Sequence, residues 1–368
     1  MSNTTVDKVT QKLKGQTLRI PNLFGFYSQW PMEISPHYDQ LTKTIHTKID
    51  EWISDDFVRR KAYKLNLPVF CSVWYPRSFL DRLETLAWYS MWLFLWDDVI
   101  EDSAIPTAEG IDKIEWLHRE ALKYVEFQLG LSHLAEEPEA PTKYCSLFKH
   151  AGAPLREACT VEERQRFYDT IKEYMGCVEV ESKFVGKGEL PTLDEYWEHR
   201  LGTTSIHTYC ALGEYMGGQH VPKELFDTQE VRTMCYELNR QIIIWNDIVS
   251  LKKEMVKPSM SILQHATDGS QGQSIHSLVP IMVNETGADL DTALTSILDI
   301  LRASGDNMNR AAESLRATER DPKTQASVET YLLNFWTCTT GNYWWSLICE
   351  RYSVTKYLKE DGTLVIPL

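Results

Sequence analysis

The sequence predicts an all-α fold built as a single domain. Long stretches of its 368 residues carry apolar side chains at helical spacing, and no apolar–polar alternation is long enough to build a sheet. No internal repeat occurs at the periods of solenoids or propellers, and no convincing linker divides the chain. We therefore expect one helical domain over residues 37–368, preceded by an N-terminal segment, residues 1–36, that packs on or over it.

The predicted helices follow from helical periodicity and from the Pro and Gly residues between the periodic stretches. Two such breaks are the Pro-rich acidic stretch EEPEAPT and the stretch GKGELPT. Thr192, followed three residues later by Glu195, forms a capping-box pattern that begins a helix. The predicted helices span residues 37–57, 76–97, 108–129, 161–183, 192–217, 223–256, 274–282, 288–317 and 322–353.

Charge and composition exclude several classes of partner. The net charge is −14, and no run of Lys or Arg of the kind that tracks nucleic acid is present. The longest apolar stretch, LAWYSMWLFLW, is far shorter than the roughly 20 residues of a membrane-spanning helix. The N-terminus has no apolar signal region, and the eight cysteines are scattered without a CxxC pair. We expect reduced thiols, a cytoplasmic location and no membrane span.

A cluster of carboxylates ends the most apolar stretch of the chain, WLFLWDDVIED. On a helix, Asp97 and Glu101 lie one turn apart on one face, and Asp98 and Asp102 do the same on the neighbouring face. A proline follows closely, so these acids lie at the C-terminal end of the helix, where the macrodipole disfavours negative charge. Either a solvated helix end or bound metal ions would compensate this cost.

A second polar stripe lies in IIIWNDIVSLKKE. Asn246, Ser250 and Glu254 recur at intervals of four residues, so an amide oxygen, a hydroxyl and a carboxylate share one helix face. All three are hard oxygen ligands, which suit Mg²⁺ better than zinc. Lys253 would supply a positive charge for a phosphate beside them. The alternative is an ordinary amphipathic helix whose polar face meets water.

Together the two stretches resemble the metal motifs of class I terpene synthases, with DDxxE at residues 97–101 and NDxxSxxKE at residues 246–254. Three further features are similar to the same family. Arg200 stands where these cyclases place a diphosphate-sensing arginine, GNYWWSLICERY resembles the family's GNxxWS…RY ending, and RIPNLFGFY resembles an N-terminal segment of fungal sesquiterpene cyclases. The resemblance runs from about residue 19 to the C-terminus.

The resemblance implies a helical bundle around a central cavity and a lyase activity. Three Mg²⁺ ions would promote ionisation of farnesyl diphosphate, and the carbocation would cyclise to a sesquiterpene hydrocarbon or alcohol with release of diphosphate. The implied metal ligands are Asp97, Glu101, Asn246, Ser250 and Glu254, with Asp98 and Asp102 as further candidates. The implied diphosphate-binding residues are Arg200, Lys253, Arg351 and Tyr352, and Asp97 and Arg200 are the expected catalytic residues.

Two departures from the family pattern leave assignments open. The family shows one acid where this chain carries both Glu101 and Asp102, so which of the two assists Asp97 is undecided. The stretch RLGTTS places Thr203 and Thr204 where relatives often carry a linker residue and a Gly-containing effector position. Thr204 is therefore a candidate for stabilising the cation.

A carbocation also needs a dry, aromatic-lined cavity, since aromatic faces stabilise positive charge without capturing it. Phe94 lies one helical turn before Asp97, and Trp345 lies one to two turns before Arg351. We expect both rings to face the cavity. The alternative for each ring is ordinary core packing.

Rival functions remain within the same fold and outside it. A chain-elongating prenyltransferase usually carries two Asp-rich motifs, so the Asn/Ser/Glu stripe argues against it; a diterpene cyclase would differ only in substrate length. A non-catalytic protein could keep the motifs as a binding remnant.

Glu115 and His118 form only one ExxH, whereas a di-iron bundle needs two. No DxDD motif supports protonation-initiated cyclisation, and the chain could act as a monomer or a homodimer.

Overall fold

The structure, a computed structural model, describes residues 4–103, 108–185, 189–219, 221–256, 277–318 and 320–368. Within the helices, the side chains outside this description are those of residues 101, 102, 108, 109, 182–185 and 256. The predicted all-α fold is confirmed, since almost all regular structure in the described part is helical.

The elements follow one another in three groups. The first group is α1 (Thr5–Leu13), β1 (Thr17–Ile20), α2 (Phe24–Tyr27), α3 (Tyr38–Trp52), α4 (Asp56–Leu65), α5 (Leu67–Trp74), α6 (Leu80–Ser103) and α7 (Ala108–Gln128). The second is α8 (Lys149–Ala158), α9 (Val161–Val185), α10 (Leu193–Thr203), α11 (Ile206–Gly217), α12 (Lys223–Phe226) and α13 (Gln229–Val256). The third is α14 (Leu278–Thr286), α15 (Leu290–Ala317), α16 (Pro322–Ile348) and β2 (Leu364–Pro367).

The helix α6 runs through the interior of the bundle. Its residues are apolar on all sides rather than along one stripe, and such a helix is stable only when neighbours cover it all round. The helices α3, α5 and α8 pack against it, and Trp92 and Trp96 on it are fully buried. The predicted helix 76–97 ended too early, because α6 continues to Ser103. The first acidic motif therefore lies in the last turns of a buried helix.

The predicted helix 192–217 is wrong in one respect, because the chain breaks it into α10 and α11. Ser205 adopts a left-handed conformation with φ of 59°. The break is stabilised from outside the helix: the Thr204 hydroxyl donates to the amide oxygen of Asn239, 2.5 Å away, and the Asn239 amide donates to the carbonyl of Leu201. A side chain of α13 thus satisfies a carbonyl that continuous helix would have used, and sequence periodicity cannot show such a contact.

The other helix boundaries shift for local reasons. The predicted helix 37–57 ends at Trp52, and Asp55 then begins α4 by accepting hydrogen bonds from two backbone amides of its first turn. The predicted helix 223–256 is divided into α12 and α13. The prediction 274–282 corresponds to α14, which covers Leu278–Thr286, and residues 274–276 lie outside the described part. The prediction 322–353 ends at Ile348, so Arg351 and Tyr352 follow the helix in a turn.

No sheet was expected, yet β1 and β2 form a short antiparallel ribbon that joins the two ends of the chain. Leu18 pairs with Ile366 in its centre. Four-residue strands are too short to show an alternating pattern, and their partner lies at the opposite end of the sequence. Farther along the N-terminal segment, the Trp30 indole donates to Asn309 on α15 at 2.8 Å. No helix in the described ranges is long and apolar enough to cross a membrane.

Candidate active site

The last turns of α6 carry the first acidic motif. Asp97 is half-buried, one turn after Phe94 on the same face. The neighbouring carboxylate, Asp98, contacts the scaffold: its Oδ2 lies 3.0 Å from the ammonium of Lys61 on α4. The structure therefore places Asp98 in an ion pair with the scaffold. The side chains of Glu101 and Asp102 lie outside the described part, so the choice between them stays open.

The second motif forms a stripe along α13, as its spacing predicts. The Ser250 hydroxyl donates to Oε1 of Glu254 at 2.5 Å, and Asn246 lies one turn earlier. The other carboxylate oxygen of Glu254 is buried and makes no well-formed hydrogen bond within the described residues, although the Ser277 side chain lies close enough to lower the pKa of this carboxyl. A buried carboxylate oxygen without a donor is costly unless a cation meets it. The donor set of amide oxygen, hydroxyl and carboxylate therefore fits a hard divalent cation.

Arg200 approaches this stripe from α10. Its Nη2 lies 3.4 Å from Oδ1 of Asn246 and 3.5 Å from Oδ1 of Asp247. Asp247 is buried, and its other oxygen accepts hydrogen bonds from the hydroxyl of Tyr196 and, at 2.7 Å, from the backbone amide of Leu278. The arginine thus lies at the start of the candidate metal-ligand stripe, beside a carboxylate that is hydrogen bonded to α10 and α14.

Arg200 interacts electrostatically with several buried or half-buried carboxylates in this region. Burial raises the pKa of Glu254, and the negative charge of Asp247 raises it further, whereas Arg200 opposes the shift. Burial likewise raises the pKa of Asp247 and of Glu181 on α9, and again Arg200 lowers both. Burial alone would lower the pKa of Arg200, but these carboxylates raise it above its ordinary value. Additional positive charge here would stabilise the ionised acids.

The C-terminal Arg-Tyr pair connects the two motif helices. The Asn246 amide donates to the Tyr352 hydroxyl at 2.6 Å. The Arg351 guanidinium lies over the ring of Phe94, with its central carbon 4.9 Å from the ring centroid. Two adjacent residues therefore contact α13 on one side and α6 on the other. Both motifs consequently lie at the same end of the bundle.

Lys253 lies in the same positive region as Arg351. The thiol of Cys349 is close enough to sense both charges: burial raises its pKa to about 11, and Arg351 and Lys253 each oppose that shift. Lys253 is half-buried and follows directly after the Ser250 turn of α13. Its neighbour Lys252 is occupied elsewhere, since it donates to the carbonyl of Pro367 in β2. Lys253 and Arg351 thus both lie near Cys349, and Arg200 lies beside Asn246.

Aromatic rings fill the space behind the first motif. The ring centroids of Phe94 and Trp345 are 6.0 Å apart, and Phe70 on α5 makes an edge-to-face contact with Trp345 at 5.1 Å. The Trp345 indole donates to the carbonyl of Leu65 at 2.7 Å, which fixes its orientation. Trp345 is almost fully covered, whereas Phe94 is half-buried. Phe94 is thus the more accessible of the two predicted cavity residues.

Thr204 occupies the break between α10 and α11. It is half-buried, and its hydroxyl is already hydrogen bonded to Asn239. The described contacts therefore give Thr204 a part in forming the break. Its predicted contribution to cation stabilisation stays a prediction.

Two residues that contact Arg200 were missed by the sequence reasoning. Asp247 belongs to the NDxxSxxKE stretch itself, and Tyr196 precedes Arg200 by four residues on the same helix face. Their contact with each other joins α10 to α13 and becomes visible only when the two helices pack. The available signals were the spacing of Tyr196 from Arg200 and the place of Asp247 directly after Asn246.

Comparisons with known proteins agree with this geometry. A family model described as terpene synthase family 2, C-terminal metal binding, matches residues 89–305. The chain is 27% identical to sesquiterpene cyclase hepA of Aspergillus oryzae, over 96% of this chain and 94% of that protein. It is 23% identical to (1R,4R,5S)-(-)-guaia-6,10(14)-diene synthase of Fusarium proliferatum, over 98% of this chain and 86% of that protein.

Solved structures resemble the fold. Germacradien-4-ol synthase from Streptomyces citricolor matches with a TM-score of 0.66 and 15% identity, over 86% of this chain and 96% of that chain. The a-eudesmol synthase matches with a TM-score of 0.69 and 19% identity, over 86% and 97% of the two chains. The family model spans more than half of the chain and contains both motifs, Asp97 and the stripe from Asn246 to Glu254. The protein therefore belongs to the class I terpene synthases.

Proposed function

We propose that this protein is a sesquiterpene synthase that ionises farnesyl diphosphate with Mg²⁺ and cyclises the resulting cation. The observation that carries the proposal is the double contact of the C-terminal pair, in which Tyr352 meets Asn246 and Arg351 meets Phe94. This contact assembles cation-binding oxygens, positive side chains and aromatic rings at one end of the bundle. The names of the relatives support the substrate class, since they include sesquiterpene cyclases and synthases.

The acidic and polar oxygens of the two motifs would hold the metal ions. Asp97 would supply ligands from α6, and Asn246, Ser250 and Glu254 would supply them from α13. Mg²⁺ suits this set because every donor in it is a hard oxygen, and the number of three ions is what the resemblance to the family implies. When bound, Mg²⁺ supplies Lewis-acid stabilisation of the negative charge that develops on the diphosphate.

Positive side chains would bind the oxygens of the diphosphate that remain. Arg200 would donate from beside Asn246, and Lys253, Arg351 and Tyr352 would donate from the C-terminal side of the site. Charge-assisted hydrogen bonds of this kind are about twice as strong as neutral ones. These donors favour breakage of the carbon–oxygen bond, in which the electron pair leaves with the diphosphate and an allylic cation forms.

The aromatic side chains would guide the cation. Phe94 and the rings packed behind it offer faces that stabilise positive charge by up to ~2 kcal/mol when water is excluded. The indole N–H of Trp345 donates a hydrogen bond to the carbonyl of Leu65, so the ring presents its hydrocarbon faces to its surroundings. The reaction would end with loss of a proton or capture of water, giving a hydrocarbon or an alcohol.

A product analysis tests the proposal directly. The purified protein is incubated with Mg²⁺ and geranyl, farnesyl or geranylgeranyl diphosphate, and the extract is analysed by gas chromatography–mass spectrometry. We expect cyclic C15 products from farnesyl diphosphate and none from a matched Asp97→Asn sample or after chelation of the metal. Cyclic C20 products alone would indicate a diterpene cyclase. Chain elongation in a parallel sample with isopentenyl diphosphate would indicate a prenyltransferase, and inactivity on every substrate would favour a binding remnant.

The expected cellular location is the cytoplasm. All eight cysteines are free thiols, and Cys71, Cys145, Cys210, Cys338 and Cys349 are buried. Free buried thiols are typical of proteins that work in a reducing compartment. Fractionation of cells that express the tagged protein would test this expectation, and recovery in a membrane pellet would contradict it.

A further inference from the structure

The buried carboxylate of Asp247 connects three helices and divides its two oxygens between two tasks. Oδ2 accepts the Tyr196 hydroxyl from α10 and the Leu278 amide, at 2.7 Å, from the first residue of α14. Oδ1 faces Nη2 of Arg200 at 3.5 Å. Only 1% of Asp247 is exposed, so it makes no contact of its own with a bound ligand in this geometry. One oxygen thus serves the fold, and the other serves the arginine.

The Arg200 guanidinium is held mainly by charge. Its contacts to Asn246, Asp247 and Thr203 measure 3.4–3.5 Å, at the limit of hydrogen bonding. Its Nε is buried and donates to no residue in the described ranges. Of the groups in these three contacts, Asp247 alone carries a formal negative charge. Glu181 and Glu254 also attract Arg200, but Asp247 is the carboxylate with an oxygen at 3.5 Å from Nη2, so its attraction acts most directly on the orientation of the guanidinium beside Asn246.

We propose that Asp247 is a positioning residue for diphosphate recognition, which sets the orientation of Arg200 and thereby the affinity of the site for the diphosphate group. The inference rests on the proposed function, since it takes Arg200 as a diphosphate-binding residue. The two hydrogen bonds of a bidentate arginine lose most of their strength when the guanidinium plane rotates, because both N–H bonds must point at the anion together. Asp247 prevents that rotation without contacting the substrate.

The substitution Asp247→Asn separates the two tasks of the side chain. The asparagine oxygen can still accept from Tyr196 and from the Leu278 amide, because these two donors share one oxygen. The new amide group then faces Arg200 and removes the charge that orients it. A purely structural role would tolerate this change as long as the fold survives.

The test measures the binding of inorganic diphosphate to the full chain by calorimetry in the presence of Mg²⁺. The variants are Asp247→Asn, Arg200→Gln and the combination of both. We expect each single change to weaken diphosphate binding by about tenfold or more. The affinity of the double variant should lie within about threefold of that of Arg200→Gln. Independent, multiplying effects would overturn the inference, as would wild-type affinity in Asp247→Asn.

The matched control is Glu214→Gln. Glu214 is also a buried carboxylate that accepts a backbone amide, from Val221 at 2.7 Å, and pairs with a guanidinium, that of Arg166. None of these partners belongs to either motif. Glu214→Gln should lower stability yet leave diphosphate affinity within about twofold of the wild type. Equal losses of affinity in both variants would mean that Asp247 acts only through stability.

A second variant keeps the test decisive if Asp247→Asn fails to fold. Tyr196→Phe removes the hydroxyl that fixes the carboxylate and that also interacts with Arg200. It should raise KM for farnesyl diphosphate by a few-fold with little change in kcat; an unchanged KM would overturn the inference. The two proposals can also fail separately. Wild-type affinity in Arg200→Gln would contradict both, whereas a loss in Arg200→Gln but not in Asp247→Asn would contradict this inference alone.

Discussion

The amide of Asn246 donates to the hydroxyl of Tyr352 at 2.6 Å, across 106 positions of sequence. This hydrogen bond links the first residue of the proposed metal-ligand stripe to the last residue of the proposed diphosphate-binding set. Tyr352 is buried, and burial raises its pKa to about 12, so it stays a neutral hydroxyl at physiological pH. Tyr352 therefore orients the Asn246 amide so that its oxygen faces away from the hydroxyl.

Replacing Tyr352 by Phe should release the Asn246 amide. We expect kcat/KM for farnesyl diphosphate to fall about tenfold, because the half-buried Asn246 amide loses its acceptor and about 1–1.5 kcal/mol of hydrogen bonding. Steady-state kinetics provide the measurement. Tyr63→Phe is the control, since Tyr63 is exposed and its hydroxyl contact to His46 is long, at 3.4 Å. Equal activity of Tyr352→Phe and wild type would remove this contact from the site.

Asp97 and Asp98 should differ in their importance despite being neighbours. Asp97→Asn should lower kcat by two or more orders of magnitude because it removes the charge of a proposed metal ligand, with unchanged helicity by circular dichroism. Asp98→Asn should lower kcat less than Asp97→Asn does. The combined effect of Asp98→Asn and Lys61→Met should be no larger than the sum of the two single effects, since the two side chains form an ion pair at 3.0 Å. If Asp98→Asn is as inactive as Asp97→Asn, Asp98 also belongs among the metal ligands.

Mg²⁺ and inorganic diphosphate should stabilise the fold together. At concentrations about 100-fold above the dissociation constant, a ligand adds about 2.7 kcal/mol, which corresponds to a rise in Tm of roughly 3–4 °C for a chain of this size. Differential scanning fluorimetry with either ligand alone should show a smaller rise. Asn246→Ala should abolish the synergy. Additive shifts in the wild type would argue against a metal-bridged site.

His150 should make stability depend on pH. It stacks on Trp52 with centroids 3.6 Å apart, and burial, helped by the charges of Lys149 and Lys48, lowers its pKa to about 4. Between pH 6.5 and 4 the unfolded chain therefore takes up a proton that the folded chain does not, so stability declines as pH falls through this window.

Substitution by Phe keeps the stacking but removes the titration. Between pH 7 and pH 4.5, the wild type should lose about 1–2 kcal/mol more unfolding free energy than His150→Phe does. This range allows for the partial exposure of the ring. Urea unfolding at a series of pH values measures the difference. The pKa of His118 is also lowered by burial, so both proteins retain that contribution. Parallel profiles for variant and wild type would refute the assignment, and exposed His133→Gln serves as the control.

Gly341 should be needed for the approach of α16 to α5. A Cβ at this position would lie 2.6 Å from the carbonyl oxygen of Val73 and 3.0 Å from the amide of Trp74, and backbone atoms cannot move aside cheaply. We expect Gly341→Ala to lower the unfolding free energy by about 1–3 kcal/mol. Gly176 on α9 has open space around it, so Gly176→Ala should be neutral or stabilising by up to ~1 kcal/mol. Chemical denaturation compares the two, and equal effects would contradict the close packing.

The sequence was informative where a pattern is local. The spacing of Asn246, Ser250 and Glu254 predicts one helix face, and the structure has those residues on one face of α13. The position of the acids at the end of α6 was also predictable, since an apolar run followed by carboxylates and a proline indicates a helix end. The left-handed Ser205 was not predictable, because the Asn239 side chain that stabilises this break lies on another helix.

The sequence by itself determined the all-α class, the motif helices and the kinds of side chain that each motif offers. These properties follow from helical periodicity and residue chemistry, which act over a few residues. Tertiary structure alone decided which side chains meet: Asp98 pairs with Lys61, Arg351 covers Phe94, and Asp247 faces Arg200. Such pairings depend on how buried helices pack, and packing is set by the shape of the whole core.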